Sequence, residues 1–275
     1  AELRRHTQAW NISQFLQGEQ AALLAASKIV QSVPDLDSKF YAATQVMDEA
    51  RHVEAYKKLL GKFGVAYPMT DPLQELTNQA LSDSRWDVTY LAMQVVIEGL
   101  ALAAFGTIRD IAQNPLARMV NAYVMEDESR HVAFGRVSLR DYYPELTQKE
   151  RDEREEFLVE ACYLMRDRMT RGKVVYEQLG LPAEECDEYS QNSEIVQLYR
   201  TMLFQRIVPI VKDIGLWGPK IRKCYEDMGV MHFADLDPQA LQDDDVRVAQ
   251  EIDAGKARRD YIESVAAHGA AGHAE

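Results

Sequence analysis

Positive charge is scarce in this sequence: 31 lysines and arginines stand against 44 aspartates and glutamates, a formal net charge of −13. No basic stripe offsets that balance, which argues against a non-specific nucleic-acid binder or a protein held on an anionic membrane surface. Cysteine is scarcer still. Cys162, Cys186 and Cys224 are odd in number, widely spaced and form no CxxC, so neither a disulfide framework nor a thiolate zinc site is indicated and a reducing cytoplasm fits. The opening residues AELRRHTQ lack the basic-then-apolar order of a secretory leader. One run, 88–108, is long enough to cross a bilayer, but Glu98, Gln94, Thr89 and two glycines interrupt it, so it reads as a buried core helix and no membrane partner is expected.

Alternation of β-branched residues is rare, whereas apolar residues recur at three- and four-residue spacing over most of the first 215 positions. The chain is therefore expected to be all-α. Helices are predicted over 7–31, ending before Pro34, and over 35–62, ending at the Gly61/Gly64 pair. A third spans 86–113 with a short helical approach from Leu73, and Pro115 opens a fourth that runs to Tyr142. A fifth, 147–179, carries charge on one side and Phe157, Leu158, Leu164, Met165 and Val175 on the other, so it should pack outside the first four. Shorter helices are expected over 193–213 and 219–228. The division that follows is a four-helix core over 1–145, accessory helices over 146–235, and an acidic, poorly anchored tail over 236–275.

Within this pattern two carboxylates are out of place. Glu98 is the one charged residue between Val88 and Ile108, and Glu19 the one between Arg5 and Lys28, His6 counted as neutral. A lone buried carboxylate costs several kcal/mol unless it is protonated, paired or bound to a metal. The two lie 79 positions apart, and the same offset carries DEARHV (48–53) onto DESRHV (127–132). Two copies of one helical hairpin are indicated. Each supplies a solitary Glu and, 30 positions later, a Glu-x-x-His: Glu49 with His52, and Glu128 with His131. Residues three apart share a helix face, so both side chains of each pair can reach one ion. Between Thr7 and Met231 the chain has no other histidine. Four carboxylates balance two divalent cations, and carboxylate oxygen with imidazole suits iron or manganese rather than structural zinc. A single Glu-x-x-His is a common surface pairing; two at matching offset from two solitary glutamates are not.

The residues inside the motifs repeat too. Asp48 and Asp127 precede each Glu, and Arg51 and Arg130 precede each His. Each Asp is expected to accept the outer N–H of the opposite hairpin's histidine, with the arginines neutralising the acids; surface ion pairs are the alternative. Around Glu98 the small neighbours Gly99 and Ala101, with Leu102 and Val124, are candidates for a substrate pocket or, equally, for close helix packing.

The paired DEARH and DESRH sequences, with Glu19 and Glu98 upstream, resemble the ferritin-like di-iron carboxylate oxygenases and oxidases, over about half of the chain. That resemblance implies a ferritin-like four-helix bundle with additional C-terminal helices, two iron ions (Fe/Fe, or Mn/Fe) held by Glu19, Glu49, His52, Glu98, Glu128 and His131, and oxidation of a small organic or acyl substrate by dioxygen. It also implies an external electron donor, a ferredoxin or reductase, and a homodimer. Two other members of the superfamily supply alternatives: a radical-carrying ribonucleotide reductase small subunit, for which Tyr56, four residues after His52, would be the redox-active side chain, and a ferroxidase or iron store. For Tyr56 plain packing is the competing reading. Arylamine N-oxygenases carry a further histidine one turn before the second Glu-x-x-His; Val124 stands there, which points away from that subgroup. Multicomponent hydroxylases and desaturases place a threonine where this chain has Leu102 and Ala101 respectively, so neither pattern is complete.

Overall fold

The computed structural model describes residues 1–168 and 172–271, with side chains up to residue 255. Among these residues there is no β-strand. Four long helices form two hairpins: α1 (Glu2–Ser32) packs along α2 (Leu36–Gly61), and α4 (Trp86–Ile111) along α5 (Pro115–Tyr142). The fold is the ferritin-like bundle with helices added after it. Each end has a local cause. Val33 is extended ahead of Pro34, which disfavours helical backbone in the residue before it. Asp35 then caps α2 by accepting from the Ser38 N–H at 2.7 Å. Asn114 caps α5, accepting from Leu116 N–H at 2.9 Å, and Pro115 occupies the first helical position, where no N–H is needed. Gly64, at φ +68°, turns the chain after α2.

The expected short approach before α4 is a helix of its own, α3 (Asp71–Ser82). Inside α4 the segment Leu91–Ile97 is π-helical, and the Glu98 N–H reaches back five residues to Met93 O. Tyr90 to Ile97 are all buried, because α1, α5, α6 (Gln148–Asp167) and α10 (Ile207–Asp213) surround this stretch. The apolar window long enough to cross a membrane is 78% buried by protein, which is why it is apolar on every side.

Three expectations change. The predicted helix 147–179 ends at Asp167, and a separate α7 (Lys173–Gln178) starts after Gly172, a poor helix former. Past α8 (Ala183–Gln191), the stretch 193–213 is broken into α9 (Glu194–Met202), a 3-10 turn Leu203–Gln205 and α10, since Pro209 has no N–H for the carbonyl four residues back and fits only in a first turn. α11 (Pro219–Asp227) follows. Of the residues read as a loose tail, 238–271 form α12 (Pro238–Ala271), which packs on α5, while 272–275 lie outside the described residues. Asp245 is its anchor: it is 3% exposed and accepts from Arg206 at 2.7 Å, with Arg109 at 3.9 Å. Acidic composition suggested solvation, but one inward acid met by two cations ties the helix down.

Candidate metal centre

Glu19 comes from α1, Glu49 and His52 from α2, Glu98 from α4, and Glu128 and His131 from α5, and none of the six is more than 5% exposed. Their donor atoms fall into two sets, Glu19, Glu49, His52, Glu128 and Glu49, Glu98, Glu128, His131, each with atoms within 4.8 Å of one another. Glu49 and Glu128 belong to both. His52 Nδ1 lies 3.2 Å from Glu19, 3.3 Å from Glu49 and 3.1 Å from Glu128; His131 Nδ1 lies 3.2 Å from Glu49 and 3.4 Å from Glu128. Opposite ligands of one first-row ion, each about 2.1 Å away, are ~4.2 Å apart, so each set has the dimensions of one ion's coordination shell.

Two observations test the fit of metal. Glu98 Oε2, Glu128 Oε2 and His131 Nδ1 are buried with no hydrogen-bond partner among the described residues, each costing about 1–3 kcal/mol if left so. His131 Nδ1 and Glu128 Oε2 lie 3.4 Å apart without the alignment of a hydrogen bond, and all three residues belong to one donor set. Without cations, moreover, the cluster has to find its positive charge in protons. Burial and then the Glu128 charge push Glu19 well above the usual carboxylate range, and burial with Glu128 and Glu49 does the same to Glu98. Burial would raise Glu49 too, but the imidazoles of His131 and His52 beside it overcome that and hold the carboxyl at about 2. Burial disfavours charged His52, yet its carboxylate neighbours, Asp127 first, outweigh that and raise it; for His131 Asp48 leads. Two divalent cations would supply the charge these protons stand in for, so the residues fit a di-metal group.

Around the six runs a second ring. His52 Nε2 lies 3.1 Å from Asp127 Oδ2, and His131 Nε2 3.2 Å from Asp48 Oδ2, each across the hairpins. Arg51 pairs with Asp48 and lies 3.5 Å from Asp127; Arg130 pairs with Asp127. Sequence reasoning missed the inner face of this ring. Gln45 Nε2 donates to Glu49 Oε1 at 3.1 Å and Glu98 Oε1 at 3.0 Å, and Gln94 Nε2 donates to Gln45 Oε1 at 3.2 Å. Gln94 has room because Gly135 faces it: a Cβ there would meet Gln94 Cβ at 2.5 Å. A polar residue four before Glu98 in an apolar run, and another four before Glu49, was the available signal.

The predicted pocket residues separate. Ala101 lines a cavity of about 30 Å³ with Glu19, Glu98, Glu128, Phe15 and Arg168. Leu102 lines a different void, under α12; Gly99 faces Ile207, 3.2 Å from where its Cβ would be; and Val124 is buried in the core. Phe15 also lines an open cleft of about 480 Å³ whose wall includes Tyr56. The Tyr56 hydroxyl, fully buried, donates to Asn121 Oδ1 at 3.3 Å, and the ring packs between Phe15 and Phe105.

Residues 3–215 match the sequence model of the family described as P-aminobenzoate N-oxygenase AurF. That match corrects the expectation drawn from Val124: one absent imidazole donor does not separate the chain from the arylamine N-oxygenases, since the other six donors surround the centre without it. No curated protein matches by sequence. Among solved structures of similar fold is "Protein 19 with aldehyde deformylating oxidase activity from Synechococcus", with a TM-score of 0.62 and 18% identity over 82% of this chain and 97% of that one.

Proposed function

The chain belongs to the P-aminobenzoate N-oxygenase AurF family of di-iron oxygenases, and from that membership we propose that it oxidises the nitrogen of a small arylamine with dioxygen. The observation that carries the reading is the sharing of Glu49 and Glu128 between the two donor sets, which is the arrangement a paired-metal site requires and a single-ion site does not. Glu19, Glu49, His52 and Glu128 would hold one iron, and Glu49, Glu98, Glu128 and His131 the other. Bound iron supplies the redox chemistry and the affinity for dioxygen.

The protein's own contribution is position, charge and dryness. Asp127 and Asp48 fix which imidazole nitrogen faces the centre, Gln45 holds Glu49 and Glu98 in place, and the apolar wall of Phe15, Ile97, Leu100 and Phe105 keeps water from the reacting face. Electrons come from a separate reductase or ferredoxin docking on the surface. The three free thiols support a reducing, cytoplasmic setting. Leu36, Phe40 and Met47, each more than 60% exposed on α2, support a homodimer built on that helix.

The test is to load the protein with ferrous iron without oxygen, add p-aminobenzoate or a simple aniline, admit air with a chemical reductant, and identify products by mass. Hydroxylamine or nitro products in wild type and none in Glu98→Ala support the reading; oxidation at carbon alone contradicts the nitrogen assignment.

A further inference from the structure

Two voids lie end to end along one face of α1. Arg4, Gln8, Ile12 and Phe15 line the open cleft of about 480 Å³, and from Phe15 the row continues through Gly18 and Glu19 as a wall of the cavity of about 30 Å³ at the carboxylate cluster. Steps of three and four residues keep these positions on one side of the helix. α4 supplies a second wall in the reverse order, Ile111 and Ile108 to the cleft, then Phe105, Ala101 and Glu98 to the cavity. The cleft starts at the exposed Arg4 and ends one partition short of the metal ligands. That partition is Phe15, which alone among the described residues borders both voids.

Three rings meet at this point, and Phe15 is the one with freedom to move. Its centroid lies 4.8 Å from that of Phe105, edge to face, and 5.6 Å from that of Tyr56. Tyr56 and Phe105 are at most 1% exposed, and the Tyr56 hydroxyl is tied to Asn121. Phe15 is half-buried and carries no polar group to tie. A helical side chain leans over the turn before its own, here towards Ile12 and the cleft, which has room for the ring. The cavity has the volume of about one water, so an aromatic molecule stands at the cluster only once a wall has moved. Its other apolar walls are less able to do so: Ala22, Ile97 and Leu100 are at most 4% exposed.

We infer that the cleft between the N-terminal half of α1 and the C-terminal end of α4 is the way in for the arylamine, and that Phe15 is the specificity-determining residue that sets how large a ring system is admitted. This rests on the oxygenase reading of the same site. A single ring passes edge-on between Phe15 and Tyr56, where aromatic faces offer it edge-to-face contacts at each step. A fused two-ring amine is stopped at the partition. Past Phe15 the distance left to Glu19 is one helical turn, about 6 Å along the axis, so a ring that takes the place of Phe15 brings its nitrogen to the cluster. With Phe15 back over the opening the reacting face is closed to water.

The experiment is stopped-flow and equilibrium binding of aniline and of 1-aminonaphthalene to the air-oxidised, iron-loaded protein, read from the absorption of the iron centre, with iron content measured on the same samples. Wild type should bind aniline, and 1-aminonaphthalene about tenfold more weakly or worse. Phe15→Ala should close that gap, raising 1-aminonaphthalene affinity about tenfold as the second ring is buried where Phe15 stood, and leaving aniline within about threefold. Ala117→Trp fills the cleft without touching the cavity; it should slow aniline association and dissociation together at unchanged affinity, the mark of a passage rather than of a binding wall. Equal affinity for the two amines in wild type, or a preference for aniline left intact in Phe15→Ala, overturns the role of Phe15, and wild-type association rates in Ala117→Trp overturn the cleft as the route. The wild-type comparison and Ala117→Trp decide even where Phe15→Ala does not fold. Any of these results at two irons per chain, or binding of neither amine there, removes this inference alone; wild-type protein that takes up no iron removes the oxygenase reading and this inference with it.

Discussion

Asp127 Oδ2 sits 3.1 Å from His52 Nε2, so an acid on α5 holds a histidine on α2 from behind, and Asp48 does the same in reverse for His131 at 3.2 Å. The two hairpins are thus tied to each other through their imidazoles. An Asp127→Asn variant keeps an acceptor but loses the charge that stabilises the His52 N–H, and iron affinity should fall by about 10–100-fold. Competition with a chelator measures this; affinity equal to wild type would reduce the contact to a surface ion pair.

Gln45 bridges Glu49 and Glu98, so Gln45→Leu leaves both buried carboxylates short of a donor. Stability of the metal-free protein should fall by about 1–3 kcal/mol, and the absorption spectrum of the iron-loaded form should shift because two ligands relax. Denaturant unfolding and difference spectroscopy check the two effects, and a variant matching wild type in both would discard the role.

Gly135→Ala tests the packing behind that glutamine. The added methyl meets Gln94 Cβ at 2.5 Å, so α4 and α5 must move apart, at a cost of about 1–3 kcal/mol. A melting temperature unchanged from wild type would mean that the two helices adjust freely there.

The pH dependence of the metal-free protein has a definite sign. Glu19 and Glu98 are raised in the folded state, so above about pH 4.5 the unfolded chain releases protons that the folded chain keeps, and stability declines with rising pH. His52 and His131 are raised as well, so their contribution, complete below about pH 6.5, is lost above it. Glu49 acts oppositely: held at about 2, it costs stability as pH falls below 4.5. The melting temperature should therefore fall from about pH 5 to pH 8, and Glu19→Gln with Glu98→Gln should flatten the slope. Iron loading should flatten it too, cations having replaced protons. A metal-free melting temperature that rises over this interval contradicts the charge balance described.

Tyr56 is the remaining redox candidate. Its hydroxyl donates to Asn121 and burial raises it well above the usual phenol range, Glu19 and Glu128 adding to that, so it stays protonated. Tyr56→Phe should cost about 1 kcal/mol and leave turnover within a few-fold; a hundred-fold loss of turnover at unchanged iron content would make Tyr56 part of the electron path.

The cluster was legible in the sequence because its determinants are local and repeated. A solitary glutamate announces itself within one helix, a Glu-x-x-His within one turn, and the equal offset of Glu19/Glu49 and Glu98/Glu128 shows that the two halves match. Arg168 was not legible: it falls in the charged stretch MRDRMTRGK, where nothing in the sequence distinguishes a cation turned inward from the charges beside it. The break between α6 and α7, the anchoring of α12 by Asp245, and the separation of Gly99, Leu102 and Val124 from the cavity depend on contacts between distant residues. Helical periodicity carries no record of those.

The central claim is that two ions share Glu49 and Glu128, and metal stoichiometry tests it most directly. Elemental analysis of anaerobically reconstituted protein should give two irons per chain in the wild type, about one in Glu98→Ala, and almost none in the double variant Glu49→Ala, Glu128→Ala. Retention of both ions by the double variant, or a single ion in the wild type, would contradict it.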